Sequence, residues 1–219
     1  MAQWQPERQD VLDALAAEIL ALHPAGRVVI AIDGVLGSGA SVFAAGLAAS
    51  LTLSGHLIFR ASMNDFRRSH AELTARGADS AEGVYRDGFD YNTFRRILLE
   101  PFRLGGSAAF VTAAFDARRD APITPKWRTG PKDAWLLVHG VFLNRPELAG
   151  LWNHTVWLSV PPEVAEQRII ADGGDVARVE LARVGQALYF AEVNPLMVAS
   201  SIIDYSDSEH PRRVFADSC

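Results

Sequence analysis

Cysteine is all but missing from this chain of 219 residues: the single one, Cys219, is the last residue. No internal disulfide can form, so a reducing compartment, the cytoplasm, is the expected location, and no cysteine-built metal centre is available. Basic charge is also in short supply. Lys and Arg number 21 against 26 Asp and Glu, a net charge of −5 with a pI near 5.7. That balance does not suit a general nucleic-acid coat, which relies on many cation–phosphate contacts.

Long apolar runs are absent too. Gly34 to Phe59 holds 26 residues without an acid, Lys or Arg, but five glycines, several serines and His56 interrupt it. It reads as a buried loop, helix and strand rather than a membrane span. The polar, charged opening Met1–Asp10 does not read as a signal peptide. The six histidines and the acids show no metal-ligand spacing of the H-E-x-x-H kind, and there is no G-x-S-x-G elbow, internal repeat or low-complexity tract.

What is present is core material. Apolar residues make up 49% of the chain and charged ones 21%, which supports a folded domain, expected to be one unit over 1–219. Leu12, Leu15, Ile19 and Leu22 are spaced three and four apart, so 7–22 is predicted to be a helix, within an N-terminal segment 1–24 that His23-Pro24 closes. Arg27–Ile32 is β-branched and continuously apolar, as in a strand buried on both faces. A glycine-rich turn follows, then a helical pattern with Phe43, Leu47 and Leu51, then a strand candidate at His56–Ala61. Further elements are predicted at Tyr91–Glu100 (a helix ended by Pro101), Ala108–Phe115 (a strand or hairpin), Ala134–Val138 and Thr155–Val160 (strands). Helices at about 162–171 and 176–191 and a short strand at Ser201–Ile203 complete the series, with Asp204–Glu209 read as a solvated acidic tail. Strands alternating with helices imply an α/β fold with a mainly parallel sheet.

The glycine turn reads Asp33-Gly34-Val-Leu-Gly37-Ser38-Gly39-Ala40-Ser41. Gly34, Gly39 and Ser41 fit the phosphate-cradling template G-x-x-x-x-G-K-[ST], and so does the strand–loop–helix setting. Gly34, Gly37, Ser38, Gly39 and Ser41 are therefore the candidate phosphate-binding residues, since glycines let the backbone wrap an anion at a helix start. The lysine position holds Ala40. Taken alone, the turn is equally compatible with a tight bend that holds no ligand.

Several phrases occur in a specific order along the whole chain. They are Ile32–Ser41, Ser62-Met-Asn-Asp-Phe66, Arg76–Asp90, Thr112-Ala-Ala-Phe-Asp116, Trp127-Arg-Thr129, Leu137–Leu148 and Leu188–Pro195. In these phrases the chain resembles the uridine kinase-like branch of the P-loop nucleoside kinases, in its short bacterial form. The resemblance implies a P-loop NTPase fold, ATP and Mg²⁺ as cofactors, and transfer of a phosphoryl group to the 5′-hydroxyl of a nucleoside. It also implies a small-molecule nucleotide or nucleoside as partner, with no nucleic acid or membrane, and leaves a homo-oligomer open.

Carried over residue by residue, the resemblance puts the catalytic positions at Ala40 (for lysine), Asn64 (for the aspartate base) and His139 (for the acid before Gly140 that helps hold the metal). Ser41 keeps the metal-binding hydroxyl. Asp65 is acidic, but alternation at a strand end should point it away. Substrate-side positions are Asp65, Phe66, Arg67, Asp87, Phe115 and Asp116. Asp87, Phe115 and Asp116 equally suit capping and packing roles; Arg67 and Arg68 read first as a solvated pair after a strand, and otherwise as a replacement for the missing positive charge. The lid, at about 162–191, retains Arg168 but has Ala171 before Asp172. His139 reads either as a proton carrier near neutral pH or as a satisfied strand-end histidine. Losses at so many places imply a degenerate kinase; an active kinase with rewired residues is the alternative.

Overall fold

The computed structural model describes residues 6–215; Cys219 lies outside them. Helix α1 (Arg8–Leu22) is followed by β1 (Val28–Gly34), α2 (Ala40–Leu53) and β2 (Ile58–Ser62). A 3₁₀ turn (Met63–Phe66) leads to α3 (His70–Ala75), α4 (Ala81–Asp87) and α5 (Tyr91–Phe94). A π-helical segment (Arg95–Leu99) then joins α5 to α6 (Glu100–Leu104). Four two-residue strands come next: β3 (Phe110–Val111), β4 (Phe115–Asp116), β5 (Ala121–Pro122) and β6 (Trp127–Arg128). The chain continues through β7 (Trp135–Gly140), β8 (His154–Ser159), α7 (Pro162–Ala171), α8 (Val176–Glu192), α9 (Pro195–Val198), β9 (Ser201–Asp204) and β10 (Arg212–Val214). None of the described helices is long and apolar enough to cross a membrane.

The main sheet has the order β10-β9-β8-β1-β7-β2, parallel throughout except for β10. β1 is buried along its whole length, and its alternating side chains feed two cores. Val28, Ile30 and Ile32 pack with α1, α2, Trp135 and Trp157. Val29 and Ala31 pack with Phe59, Phe94, Phe102 and Phe110 on the other face. Two-sided burial is why the strand reads as an uninterrupted apolar run.

Three expectations give way to the structure. Pro101 does not end the helix: the π turn at Arg95–Leu99 widens the spiral before it, so the proline falls in the first turn of α6, where a missing N–H is tolerated. The Ala108–Phe115 element is no hairpin of its own. β3 pairs with β6 and β4 with β5, so the ladder closes across residues far beyond Phe115. The acidic 204–209 segment is not a solvated tail. It links β9 to β10, with Asp204 bonded to Arg212 and Ser206, and Glu209 paired with Arg8.

Strand register decides where chemistry can occur. Ile32 and Ser62 both lie opposite His139, and Asp33 lies opposite Gly140. The carboxyl ends of β1, β2 and β7 thus stand side by side, where α/β sheets open a crevice.

Candidate functional site

The loop after β1 is held in a shape that only its glycines allow. Gly37 and Gly39 have φ of 83° and 84°, and Gly39 opens α2 without a side-chain cap. A Cβ on Gly37 would strike the backbone carbonyl of Ala165, so the loop lies flat against α7. From α7, Arg168 donates to the carbonyl of Ser38 at 3.1 Å, and to those of Tyr205 and Ser206 at 3.0 and 2.9 Å. Arg168 therefore ties the loop to α7 and to the end of β9. The backbone amide of Ser38 is turned inward to Val35 O at 2.9 Å.

A two-lobed cleft lies beyond the strand ends. The first lobe, about 860 Å³, runs along Gly37, Ser38, Gly39, Ala40 and Ser41 and brings in Asn64, Asp65, Phe115, Asp116 and His139. Ala40, Asn64 and His139, far apart in sequence, thus share one cavity. The second lobe, about 830 Å³, lies between α4 and α8, with Gly34, Arg67, Tyr85, Phe89, Phe142 and Tyr189 on its walls. Val35, Leu36, Asn64 and Arg178 line both lobes.

Asp65 departs from its expected orientation. Strand alternation does not apply to it, because β2 stops at Ser62 and a 3₁₀ turn carries both Asn64 and Asp65 to the cleft wall. Burial, then the nearby charge of Asp116, holds the Asp65 carboxyl above its usual range, against a bond from the backbone of Ser62. Phe66 and Asp87 are not on the cleft. Phe66 is buried against Phe94, with ring centroids 5.0 Å apart, and Asp87 is exposed at the end of α4. Asp116 reaches the cleft, and its Oδ1 also accepts from the amides of Arg118 and Arg119.

The imidazole of His139 is pushed down to about 4, first by burial and then by Arg60, so it is neutral at pH 7 and carries no positive charge there. Ala40 lines the same lobe, so the two positions where the resemblance implies a lysine and a metal-holding acid both present uncharged groups. Among the described residues no group of three or more His, Cys, Asp or Glu could hold a metal ion. Ser41 offers one hydroxyl oxygen, but the neutral imidazole at 139 does not suit Mg²⁺, a hard ion that takes oxygen ligands, usually carboxylates, so the ligand pair that the resemblance implies is incomplete.

Asp33 is buried behind the loop rather than in the cleft. It accepts from Tyr189 Oη at 2.5 Å, Asn144 Nδ2 at 2.8 Å and its neighbour Gly34 N at 2.9 Å. Burial outweighs these bonds and pushes its carboxyl up to about 6. It therefore anchors α8 to the end of β1 and is out of reach of an acceptor hydroxyl. Sequence reasoning did not single out Tyr85, Arg118, Arg178 or Tyr189. No motif surrounds the two arginines, and only the packing of α8 over the strand ends turns Arg178 and Tyr189 towards this region.

Loop, strand order and cleft define a P-loop kinase fold. No family model matches the chain, and no curated protein sequence matches it. Solved structures do. A possible uridine kinase from Bacillus stearothermophilus shares 22% identity at a TM-score of 0.72, over 89% of this chain and 97% of that one. A candidate fructose transport system kinase from Silicibacter sp. TM1040 shares 26% identity at a TM-score of 0.66, over 80% and 94%. D-glycerate 3-kinase from Cryptococcus neoformans shares 10% identity at a TM-score of 0.55, over 87% and 89%. The chain has the fold of the P-loop kinases, the uridine kinase-like ones among them.

Proposed function

We propose that this chain is a uridine kinase-like protein that binds a nucleotide, nucleoside or phosphate in its cleft and has lost phosphoryl transfer. One observation carries the reading: Ala40, Asn64 and His139, the positions of the family's lysine, base and metal acid, converge on a single cavity. Ala40 supplies no positive charge, the Asn64 amide is no base at neutral pH, and the neutral imidazole of His139 is no hard anionic ligand. Losing a general base removes on the order of 10²–10⁴ in rate, and losing a preorganised electrostatic donor on the order of 10²–10³. Together they remove at most roughly 10⁴–10⁷, because such effects overlap. From ~1–100 s⁻¹ for a kinase, turnover falls to minutes or far longer.

The active-kinase alternative has one feature in its favour, the Asp65 carboxyl in the cleft with its raised proton affinity. Asp33, the other candidate base, is committed to Tyr189 and Asn144. The deciding experiment measures UMP from uridine, ATP and Mg²⁺ by mass spectrometry. It uses the natural chain and a triple variant, Ala40→Lys, Asn64→Asp and His139→Asp. No product from the natural chain and many turnovers from the triple variant are expected. Many turnovers from the natural chain would overturn the reading and make Asp65→Asn the next variant.

A further inference from the structure

The second lobe carries a charge pattern that a neutral nucleoside does not explain. Its charged wall residues are Arg67, Arg118 and Arg178 against one carboxylate, Asp172. The three arginines come from separate segments: Arg67 follows the 3₁₀ turn, Arg118 lies between β4 and β5, and Arg178 is in the first turn of α8. Among the described residues the guanidinium groups of all three lack an ion pair, while eleven other ion pairs occupy arginines elsewhere. Two of them, Arg118 and Arg178, also line the first lobe, so the charge gathers where the lobes meet.

Arg118 and Arg178 are exposed and Arg67 is half-buried, so all three guanidinium groups stand open to an anion entering the lobe. After burial, the charge of Arg178 is the next cause that eases the proton from Arg67, and Asp120 only partly offsets it. Behind this charge stands an apolar wall. The Tyr85 and Phe142 rings meet edge-on at 4.9 Å, and Phe89 lies 6.4 Å from Phe142. A ligand that fits has a doubly charged head at the arginines and an uncharged body against the rings.

We propose that Arg67, Arg178 and Arg118 form an anion site for a phosphate monoester, so that the lobe takes a small molecule that is already phosphorylated. The excess of two positive charges on the wall matches a phosphate dianion better than a single carboxylate. This rests on the reading of the cleft as a small-molecule site, and it names the ligand class.

The test is calorimetric titration with two matched pairs of probes, UMP with uridine and ribose 5-phosphate with ribose, at low and raised salt. The natural chain is compared with R67Q, R178Q, R67K and the control R76Q, an exposed arginine away from the cleft. The phosphorylated member of each pair is expected to bind at least roughly tenfold more tightly, with the preference shrinking as salt rises. R67Q and R178Q should each remove most of that preference, R67K should retain part of it, and R76Q should leave it unchanged. Melting curves without ligand confirm that each variant is folded, and R178Q, on an exposed helix face, keeps the test decisive if R67Q unfolds. Equal affinity within each pair, no binding of any probe, or a preference that both Gln variants leave intact would overturn the proposal. Kinase turnover by the natural chain would instead overturn the loss of phosphoryl transfer and leave the anion site standing.

Discussion

Asp33→Asn should flatten a pH dependence that the natural chain carries at the root of its glycine loop. Asp33 is fully buried, and its carboxyl is pushed up from 3.8 to about 6, burial outweighing bonds from Tyr189, Asn144 and Gly34. The folded state therefore holds this proton more tightly than the unfolded chain does. The stabilisation is fully present below pH 3.8 and is lost as pH rises through about 6. At ~1.36 kcal/mol per unit, the full loss is about 3 kcal/mol, of which about 1.4 kcal/mol falls between about pH 5 and 7.5. His139 and His154 act in the opposite sense: both are pushed down to about 4, chiefly by burial, so their contribution to stability grows with pH over the same window. Those histidine contributions cancel when the natural chain is compared with D33N. Urea unfolding followed by the fluorescence of buried Trp135 and Trp157 gives stability at each pH. The difference between natural chain and variant should fall by about 1–2 kcal/mol from pH 5 to pH 7.5, whatever fixed cost Asn adds through a weaker bond to Asn144. Parallel profiles would refute the assignment of a raised, buried carboxyl to Asp33.

Two further outcomes follow from the loop. Gly37→Ala should lower stability by about 1–3 kcal/mol, because φ of 83° disfavours an L side chain and the new Cβ meets the Ala165 carbonyl; an unchanged melting temperature would contradict that packing. Arg168→Gln should cost about 1–3 kcal/mol by leaving the carbonyls of Ser38, Tyr205 and Ser206 without their shared donor. It should also speed amide exchange in 201–206, and protection equal to that of the natural chain there would show that the clip is not needed.

The placing of apolar residues along the chain determined much of the architecture. β1 and β7 are legible because both faces are buried, so nearly every residue must be apolar: Val28, Ile30 and Ile32 feed one core and Val29 and Ala31 the other. α1 and α2 are legible because one face of each is buried in the same core, which imposes the three-and-four spacing of Leu12, Leu15 and Ile19 and the fourfold spacing of Phe43, Leu47 and Leu51. The glycine loop is legible because a left-handed φ leaves a residue-type signature at Gly37 and Gly39.

Other features depend on partners distant in the chain, and no local pattern encodes those. Helix after Pro101 depends on a π turn that shifts the hydrogen-bond ladder, and β10 depends on Ile203 offering an open edge ten residues earlier. Asp65 reaches the cleft only because a 3₁₀ turn replaces one more step of strand, while Phe66 is drawn into the core by Phe94. The substitutions at 40, 64 and 139 are visible as letters, but that they share a cavity follows from strand order, which sets β1 beside β7 and β7 beside β2. Arg67 is a substrate-side position by resemblance, but Arg118 and Arg178 stand in no motif, and long intervals separate the three. Their meeting at one junction was decided by the tertiary structure alone, because charge acts through space and not along the chain.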